Sequence, residues 1–433
     1  MNLLIWTAGT VILLFRFMSK ENFIQVFEYQ KLKVGENGFK QSHFDSLMKF
    51  NEKNGNKYFT AIYNGILFNS YVGVIQIGGL TIEILPKADN SPNPSKLVWQ
   101  KVLLNMLRIC KYIQVDTVSE TGLKRKHNSI LEVYFEMFLY ELEELTRRGL
   151  IKRYRKIENN HPALKGKLIF SQNIQKNLIH KEKFYCEYQV YDKNHTVHQV
   201  LLKALLILDS LTTHTLKDRI KRLLYEFNDF ENKEFKERDF ENLKSDRKTQ
   251  PYSRALKIAK MLILNYSPNL NSGNNQMLTL LFDMNKLWEE YIYRVLQKHN
   301  DPSEYEITAQ AKEYFWEHKT IRPDIVIKKI ENNKTFIIDT KWKIVDSGNP
   351  SDEDLKQMFV YNLHWKAEKS ILLYPKVHLD DSNFGNFHHK PIHKGIETEF
   401  ENSCKAGFIS ILQDDMYKST LSMSKEIIEK INA

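Results

Sequence analysis

Arg322-Pro-Asp-Ile-Val-Ile327 and Phe336-Ile-Ile-Asp-Thr-Lys-Trp342 are two apolar runs that each carry a carboxylate, separated by the polar stretch Glu331-Asn-Asn-Lys334. Apolar, β-branched runs flanking an Asn-rich turn predict a hairpin, with strands at Ile325–Lys329 and Thr335–Thr340. With the hairpin centred between Asn332 and Asn333, residue 324 stands opposite 341 and 326 opposite 339. Side chains alternate along a strand and opposed residues share a face. Asp324, Asp339 and Lys341 then project to one side. Thr340 points away, but its backbone carbonyl can turn toward the same cluster. A slip of one residue would break this arrangement.

Two carboxylates and a carbonyl are hard oxygen donors that suit Mg²⁺ or Mn²⁺, ions that keep waters and accept phosphate oxygens. Such an ion acidifies a bound water and stabilises charge growing on phosphorus. Lys341 can orient that water or neutralise the transition state. The set is suited to phosphodiester hydrolysis. Glu289, in Leu287-Trp-Glu-Glu-Tyr291, can add a carboxylate. Gln357 and Tyr361 are four apart on a helix expected at 351–369, so they share a face. Ser351 and Asp354 are placed to form a capping box at its start. A lone D-x-K is usually a solvated strand face. An Asp ending an apolar strand, with Pro-Asp one hairpin earlier and Q-x-x-x-Y on the next helix, is much less common.

These residues resemble the PD-(D/E)XK nuclease superfamily in its RecB-like form: Pro323-Asp324, Asp339-Thr-Lys341, Gln357-Met-Phe-Val-Tyr361 and Glu289. The chain is similar, more closely, to the McrC family, the nuclease subunits of McrBC-type modification-dependent restriction systems. The added matches are 72–87 (VGVIQIGGLTIEILPK), Leu164-Lys-Gly-Lys167 and Phe282-Asp-Met-Asn-Lys-Leu-Trp-Glu289. The resemblance spans about 21–430. It implies a metal-dependent endonuclease acting on double-stranded, modified DNA. It also implies a GTP-driven AAA+ partner of McrB type, docked and stimulated through the N-terminal region. No G-x-x-x-x-G-K-[ST] loop occurs in the chain, so nucleotide binding by that loop is not expected here. A non-catalytic activator of the AAA+ partner and a stand-alone repair or recombination nuclease are the alternatives.

The rest of the chain fits around this centre. It is long enough for two or three domains, and 42% hydrophobic residues are ample for cores. The expected class is α+β and multidomain. A β-rich domain for partner docking is placed at 19–92, a mainly helical domain at 93–270 and an α/β nuclease domain with a mixed sheet at 271–433. In the first, Tyr58 to Tyr63, a long strand at 66–77 and Leu80–Leu85 form an antiparallel meander, with turns at Asn64-Gly65 and Gly78-Gly79. In the last, 277–299 reads as one amphipathic helix. The polar stretch 267–275 reads as a linker.

Sixty-three Lys and Arg against 53 Asp and Glu give a net charge of +10, which favours polyanionic partners. Lys152, Arg153, Arg155, Lys156, Lys165 and Lys167 gather around Tyr154 and are candidates for the DNA backbone. A solvated basic hairpin or an acidic partner surface explains them equally well. His388, His389 and His393 lack the spacing of a metal site and read as a polar loop. Three scattered cysteines suit a reducing cytoplasm rather than a disulfide framework. The apolar run at 3–15 is shorter than a spanning helix and has no basic residue before it. Met18 offers a later start; a membrane anchor or signal peptide is the other reading.

Overall fold

The computed structural model describes residues 23–89, 94–113, 129–212, 216–243, 245–267, 276–345, 349–388, 401–413 and 416–433. The apolar run at 1–17, residues 268–275 of the expected linker, and His389 and His393 lie outside these residues. The chain is mixed α/β and divides into two compact units: 1–75 with 80–114 and 280–433, and 76–79 with 115–279. The expected boundaries at 92 and 270 are not followed. The N-terminal residues and the C-terminal region fall in one unit instead.

That first unit begins with β1 (Phe23–Phe27), β2 (Lys31–Lys33), α1 (Gln41–Lys53), β3 (Phe59–Ile62), β4 (Gly65–Phe68), β5 (Tyr71–Ile77), β6 (Leu80–Leu85) and α2 (Lys96–Ile109). The expected long strand at 66–77 is two strands in two sheets, because Asn69 turns the chain. Its backbone N–H donates to Tyr58 O at 3.0 Å and its amide to Lys57 O at 2.9 Å. Ile62 pairs with Gly65, so the tight turn is Tyr63-Asn64, one residue earlier than expected, with Asn64 at φ +53°. Gly65 serves close approach instead: a Cβ there would lie 2.3 Å from Leu32 O. The Gly78-Gly79 turn forms as expected, at φ +51° and +82°. The region is not wholly antiparallel, since β1 pairs with β6 in parallel.

The second unit contains α3 (Ile130–Arg147), β7 (Arg153–His161), β8 (Lys167–Leu168), α4 (Phe170–Asn177), β9 (Phe184–Asp192), α5 (Thr196–Leu211), α6 (Lys217–Glu226), α7 (Glu237–Glu241), α8 (Ser253–Leu264) and β10 (Tyr266–Ser267). Helices α3, α5, α6 and α8 bury the apolar stripes that their periodicity announces. The segment 153–192 departs from the helical expectation and forms a three-stranded sheet, β7-β9-β8.

The chain returns to the first unit through β11 (Met277–Asp283) and α9 (Met284–His299). The helix expected over 277–299 therefore starts seven residues late. Asp283 sets the boundary, its carboxylate accepting from Asn285 N–H at 3.0 Å. Then come β12 (Tyr305–Ala309), β13 (Glu313–Trp316), β14 (Lys319–Ile321), β15 (Ile325–Lys329), β16 (Thr335–Thr340), α10 (Asp352–Trp365), β17 (Ala367–Pro375), β18 (Gly385–Asn386), β19 (Ser403–Ile409) and α11 (Thr420–Asn432). The sheet order is β12-β15-β16-β17-β19-β18. Neighbours β12, β15 and β16 are antiparallel, while β16, β17 and β19 are parallel, so the sheet is mixed as expected. One face buries Ile337, Leu372 and Phe408 with Met358 and Tyr361 of α10. Helix α9 contacts β16 and packs beside α11. Trp288 on α9 donates to Leu373 O at 3.5 Å.

Trp342, just past β16, donates its indole N–H to Glu28 Oε1 at 2.7 Å, and Lys87 N–H meets the same oxygen at 3.0 Å. Glu28 is 5% exposed, and its Oε2 has no hydrogen-bond partner among the described residues. Burial raises its pKa from 4.5 to about 7, against the two bonds that lower it. A carboxyl that ionises more readily unfolded than folded costs the fold stability as pH rises from 4.5 through 7. Glu28→Gln keeps an acceptor and removes the charge. Its Tm is expected to match that of the wild type near pH 5 and to exceed it by a few degrees at pH 8. Thermal melts at both pH values check this; an equal offset at both would exclude Glu28 as the titrating group.

Candidate active site at the end of the mixed sheet

The hairpin that carries the two aspartates closes differently from expectation. Ile325 pairs with Ile338, Val326 with Ile337 and Ile327 with Phe336. Extended by one residue, this register sets Asp324 opposite Asp339 rather than opposite Lys341. The turn explains the change: Lys329 N–H donates to Lys334 O at 2.8 Å, and Asn333 takes φ +60° inside a four-residue loop at 330–333. The displacement is two residues, so every side chain keeps its face.

Asp324 is half-buried, and its Oδ2 accepts from the N–H of Thr340 at 2.7 Å and from the Thr340 hydroxyl at 2.8 Å. Burial raises its pKa while these bonds, Lys341 and Arg322 oppose the rise. Within a strand the N–H and C=O of one residue point to the same side. The Thr340 carbonyl therefore faces the Asp324 side, consistent with its expected placement.

Asp339 is 3% exposed. Its Oδ2 lies 2.8 Å from Lys341 Nζ but has no aligned hydrogen bond, and its Oδ1 is 3.5 Å from Gln357 Nε2. Burial and the neighbouring Asp324 raise its pKa to about 7, although Lys341 pulls the other way. Burial also lowers the pKa of Lys341, but Asp339 and Asp354 outweigh it and hold the ammonium above its ordinary value. Lys341 reaches Asp354 at 3.2 Å and donates to Gln357 Oε1 at 3.3 Å.

Helix α10 supplies the wall of the site. Gln357 Nε2 donates to the Tyr361 hydroxyl at 2.8 Å, so the two do share a face. Tyr361 in turn donates to Arg322 O at 3.0 Å and so ties the helix to the loop that carries Asp324. Ser351 caps the helix, accepting from Asp354 N–H at 3.2 Å. The Asp354 carboxylate does not return the bond to the cap backbone as a full capping box requires. It accepts from Ser351 Oγ at 2.8 Å and from Lys343 at 2.9 Å, and it faces Lys341. Sequence reasoning saw Asp354 only as a cap. The signal for more was its position three residues before Gln357, on the same helix face.

Glu289 is half-buried on α9, and burial followed by the charge of Asp324 raises its pKa. Gln310, which sequence reasoning missed, links the two: its amide donates to Glu289, its N–H donates to Asp324 O at 2.9 Å, and its Oε1 accepts from Arg322 at 3.1 Å. Asp324, Asp339, Thr340, Lys341, Gln357, Tyr361 and Glu289 are thus one network.

The six candidate DNA-binding cations lie in the second unit. Arg153 pairs with Asp246, Arg155 is bidentate to Asp192 at 2.9–3.1 Å, and Lys156 reaches Glu187 at 3.2 Å. Lys165 sits over the Tyr188 ring at 4.3 Å. Four of the six are therefore engaged within their own sheet and its surroundings, which favours a structural role for them. Lys152 and Lys167 are drawn into no such pair among the described residues.

The sequence model of the McrBC family, described as the McrBC 5-methylcytosine restriction system component, matches residues 66–375, more than half of the chain. The chain belongs to the McrBC family. Its fold is similar to a chain in the tetradecameric assembly of Thermococcus gammatolerans McrB AAA+ hexamers with bound McrC. The TM-score is 0.70 at 19% identity, over 95% of this chain and 100% of that one. A chain in the Thermococcus gammatolerans McrBC complex matches with TM-score 0.49 at 20% identity, over 64% of this chain and 88% of that one. No curated protein sequence matches. No helix among the described residues is long and apolar enough to cross a membrane.

Among the described residues no group of three or more His, Cys, Asp or Glu is spaced to hold a metal ion. The candidate donors are two opposed carboxylates and a carbonyl, with Asp339 Oδ2 buried and short of a hydrogen bond. That set fits an ion that retains several waters, such as Mg²⁺, rather than a closed cage. An ion held there would need the Asp339 carboxylate, and burial and Asp324 push its pKa up to about 7. Mg²⁺ affinity measured by calorimetry is expected to rise about tenfold from pH 6 to pH 8. Asp339→Asn should remove both most of the affinity and its pH dependence. A pH-independent affinity in the wild type would refute the assignment of Asp339 as a ligand.

Proposed function

We propose that this McrBC-family chain is the metal-dependent endonuclease subunit of a restriction complex, and that it hydrolyses phosphodiesters of modified double-stranded DNA. The observation that carries the reading is the pairing of Asp324 and Asp339 at a sheet end, with the Lys341 ammonium 2.8 Å from Asp339 and α10 alongside. With the ribbon strands β13 and β14 set aside, the order α9, β12, β15, β16, α10, β17 follows the helix, strand, strand, strand, helix, strand pattern read from the sequence, which supports this reading. The family description names 5-methylcytosine, which motivates modified DNA as substrate.

Asp324, Asp339 and the Thr340 carbonyl would hold Mg²⁺, or Mn²⁺ in its place; the bound ion supplies positive charge for the phosphate and a more acidic water. The residues of the chain do the rest. Lys341 is held by Asp339, Asp354 and Gln357, and release of its long bond to Gln357 Oε1 would free a donor for the attacking water or a phosphate oxygen. Gln357 keeps that ammonium and the Asp339 carboxylate in register. Tyr361 holds the Pro323-Asp324 loop against the helix. Water adds to phosphorus as the P–O bond to the leaving strand breaks; the water gives up a proton, which Glu289, its pKa raised, would receive at the site's edge, and the leaving oxygen takes one up from solvent.

A GTP-driven AAA+ partner of McrB type completes the reading. It is supported by the similar assembly, which holds McrB AAA+ hexamers with bound McrC, and by the lack of a P-loop motif in this chain. The chain would stimulate hydrolysis by that partner. Purified alone with Mg²⁺ it is expected to cut DNA poorly, and to cut well with partner and GTP. Asp339→Asn and Lys341→Gln should each lower the cleavage rate by about a hundredfold or more. Both should leave assembly and partner GTP hydrolysis unchanged. Cleavage, GTPase and melting assays on the same preparations check this. Near-normal cutting by either variant would overturn the site assignment. Full GTPase stimulation by a wild-type chain that never cuts would point to a non-catalytic activator.

A further inference from the structure

Between β12 and the Pro323-Asp324 loop the chain makes an excursion outside the six-stranded sheet. Strands β13 and β14 form a two-stranded ribbon that joins no other sheet among the described residues. Its first strand reads Glu313-Tyr-Phe-Trp316, and Tyr314, Phe315 and Trp316 are 73%, 55% and 58% exposed. Three consecutive aromatics in water are costly for a surface that meets only solvent. The pairing shifts between Tyr314 and Trp316, a bulge that breaks strict alternation and re-aims the side chains around Phe315. Lys319 lies over the Trp316 ring at 5.4 Å and brings a cation to the tip. Lys312 and Arg322 flank the base.

The tip is exposed, but the base is anchored to the site. On the entering side, Gln310 N–H donates to Asp324 O at 2.9 Å and its amide donates to Glu289. On the leaving side, Arg322 donates to Gln310 Oε1 at 3.1 Å and its carbonyl accepts from Tyr361 at 3.0 Å. Along the flank, His364 on α10 is 3.1 Å from Tyr314 O. The ribbon is therefore oriented by the same groups that place Asp324.

We propose that the β13–β14 ribbon is a wedge that enters a groove of duplex DNA beside the phosphate to be cut, with Phe315 and Trp316 loosening the adjacent base step. The inference rests on the reading of the site as a DNA nuclease. A two-stranded ribbon fits a DNA groove, and apolar wedges kink duplexes by partly unstacking a step. Lys312, Lys319 and Arg322 meet the phosphates on either side of the wedge. Opening the step bends the backbone at the scissile phosphate and brings it within reach of Asp324 and Asp339.

The test uses the full complex with partner, GTP and Mg²⁺, and compares the wild-type chain with Phe315→Ala/Trp316→Ala. Both side chains are exposed, so the double variant is expected to melt as the wild type does. Its cleavage rate should fall at least tenfold, with Mg²⁺ affinity and partner GTP hydrolysis unchanged. In an Asp339→Asn background, a DNA carrying 2-aminopurine at the step beside the cut should brighten on binding. The added Phe315→Ala/Trp316→Ala change should abolish that rise. This fluorescence reads entry into DNA whether or not the complex cuts, so a failure of the nuclease reading shows separately as a wild-type complex without cleavage. Equal fluorescence with and without the aromatics overturns the wedge. So does an unchanged signal accompanied by a lower sedimenting mass, which would make the ribbon a contact between copies of the chain.

Discussion

Holding two carboxylates on neighbouring strands, one of them nearly without solvent, is the constraint that organises the C-terminal half of the first unit. Asp339 is buried opposite Asp324, and both burial and mutual repulsion oppose ionisation. The fold answers with a cation on the same strand face, two residues on, and with donors from two directions. Thr340 uses its N–H and hydroxyl on Asp324, while Lys341 and Gln357 approach Asp339. Asp354 takes a second side of the ammonium, so Lys341 stands between two carboxylates. Helix α10 packs where it does partly because that charge arrangement needs its polar face. Its apolar face closes the core over Ile337 and Leu372.

The residue that follows Lys341 carries the constraint into the N-terminal sheet. Trp342 spans from the Trp288 ring, 5.3 Å away on α9, to the buried Glu28 just past β1. Glu28 also receives Lys87 N–H, so the Pro86-Lys87 element is tied to the same carboxyl. A cavity of about 290 Å³ lined by Glu28, Lys87, Trp342 and Lys343 lies at this junction. The N-terminal strands are thus part of the frame that sets the end of β16. This is why compactness joins sequence segments that look like separate modules.

Much of the candidate site was legible because strand periodicity needs few residues to declare itself. Thr335–Thr340 and Ile325–Lys329 have the bounds expected from their apolar runs. The facing of Asp324, Asp339 and Lys341 survived a misplaced hairpin centre because the error was an even number of residues. Turn geometry was less legible. Asn64 and Asn333 both adopt left-handed φ, and nothing local announces which member of an Asn-Asn or Asn-Gly pair will do so. The run at 277–299 failed because a strand edge and a helix face can both be written in Leu, Met and Phe. Asp283 was the boundary mark, and its capping bond becomes decisive only in three dimensions. Gln310 and the ribbon at 313–321 were invisible for another reason. Their meaning lies in contacts with residues 12 to 50 positions away, which no periodicity encodes.

The interruption of the first unit by residues 115–279 has a consequence for how the chain comes into being. Strand β5 packs its Gly73 against Leu280, where a Cβ would lie 2.1 Å from the carbonyl oxygen. Glu28 waits for an indole at 342. During synthesis the second unit has nearly all of its sequence together and is free to close early. In the first unit the opening strands can pair among themselves, but the β11 edge of β5 and the indole that meets Glu28 arrive only after the second unit's sequence has been made. Such long-range pairing is slow and leaves apolar edges uncovered meanwhile. The hairpin that pairs the two aspartates is local, but the frame around it, with Trp342 on Glu28 and β17 beside β16, closes only once the last third has been made. For a chain whose proposed work is to break DNA, that order leaves the frame of the proposed site incomplete until nearly the whole sequence is present.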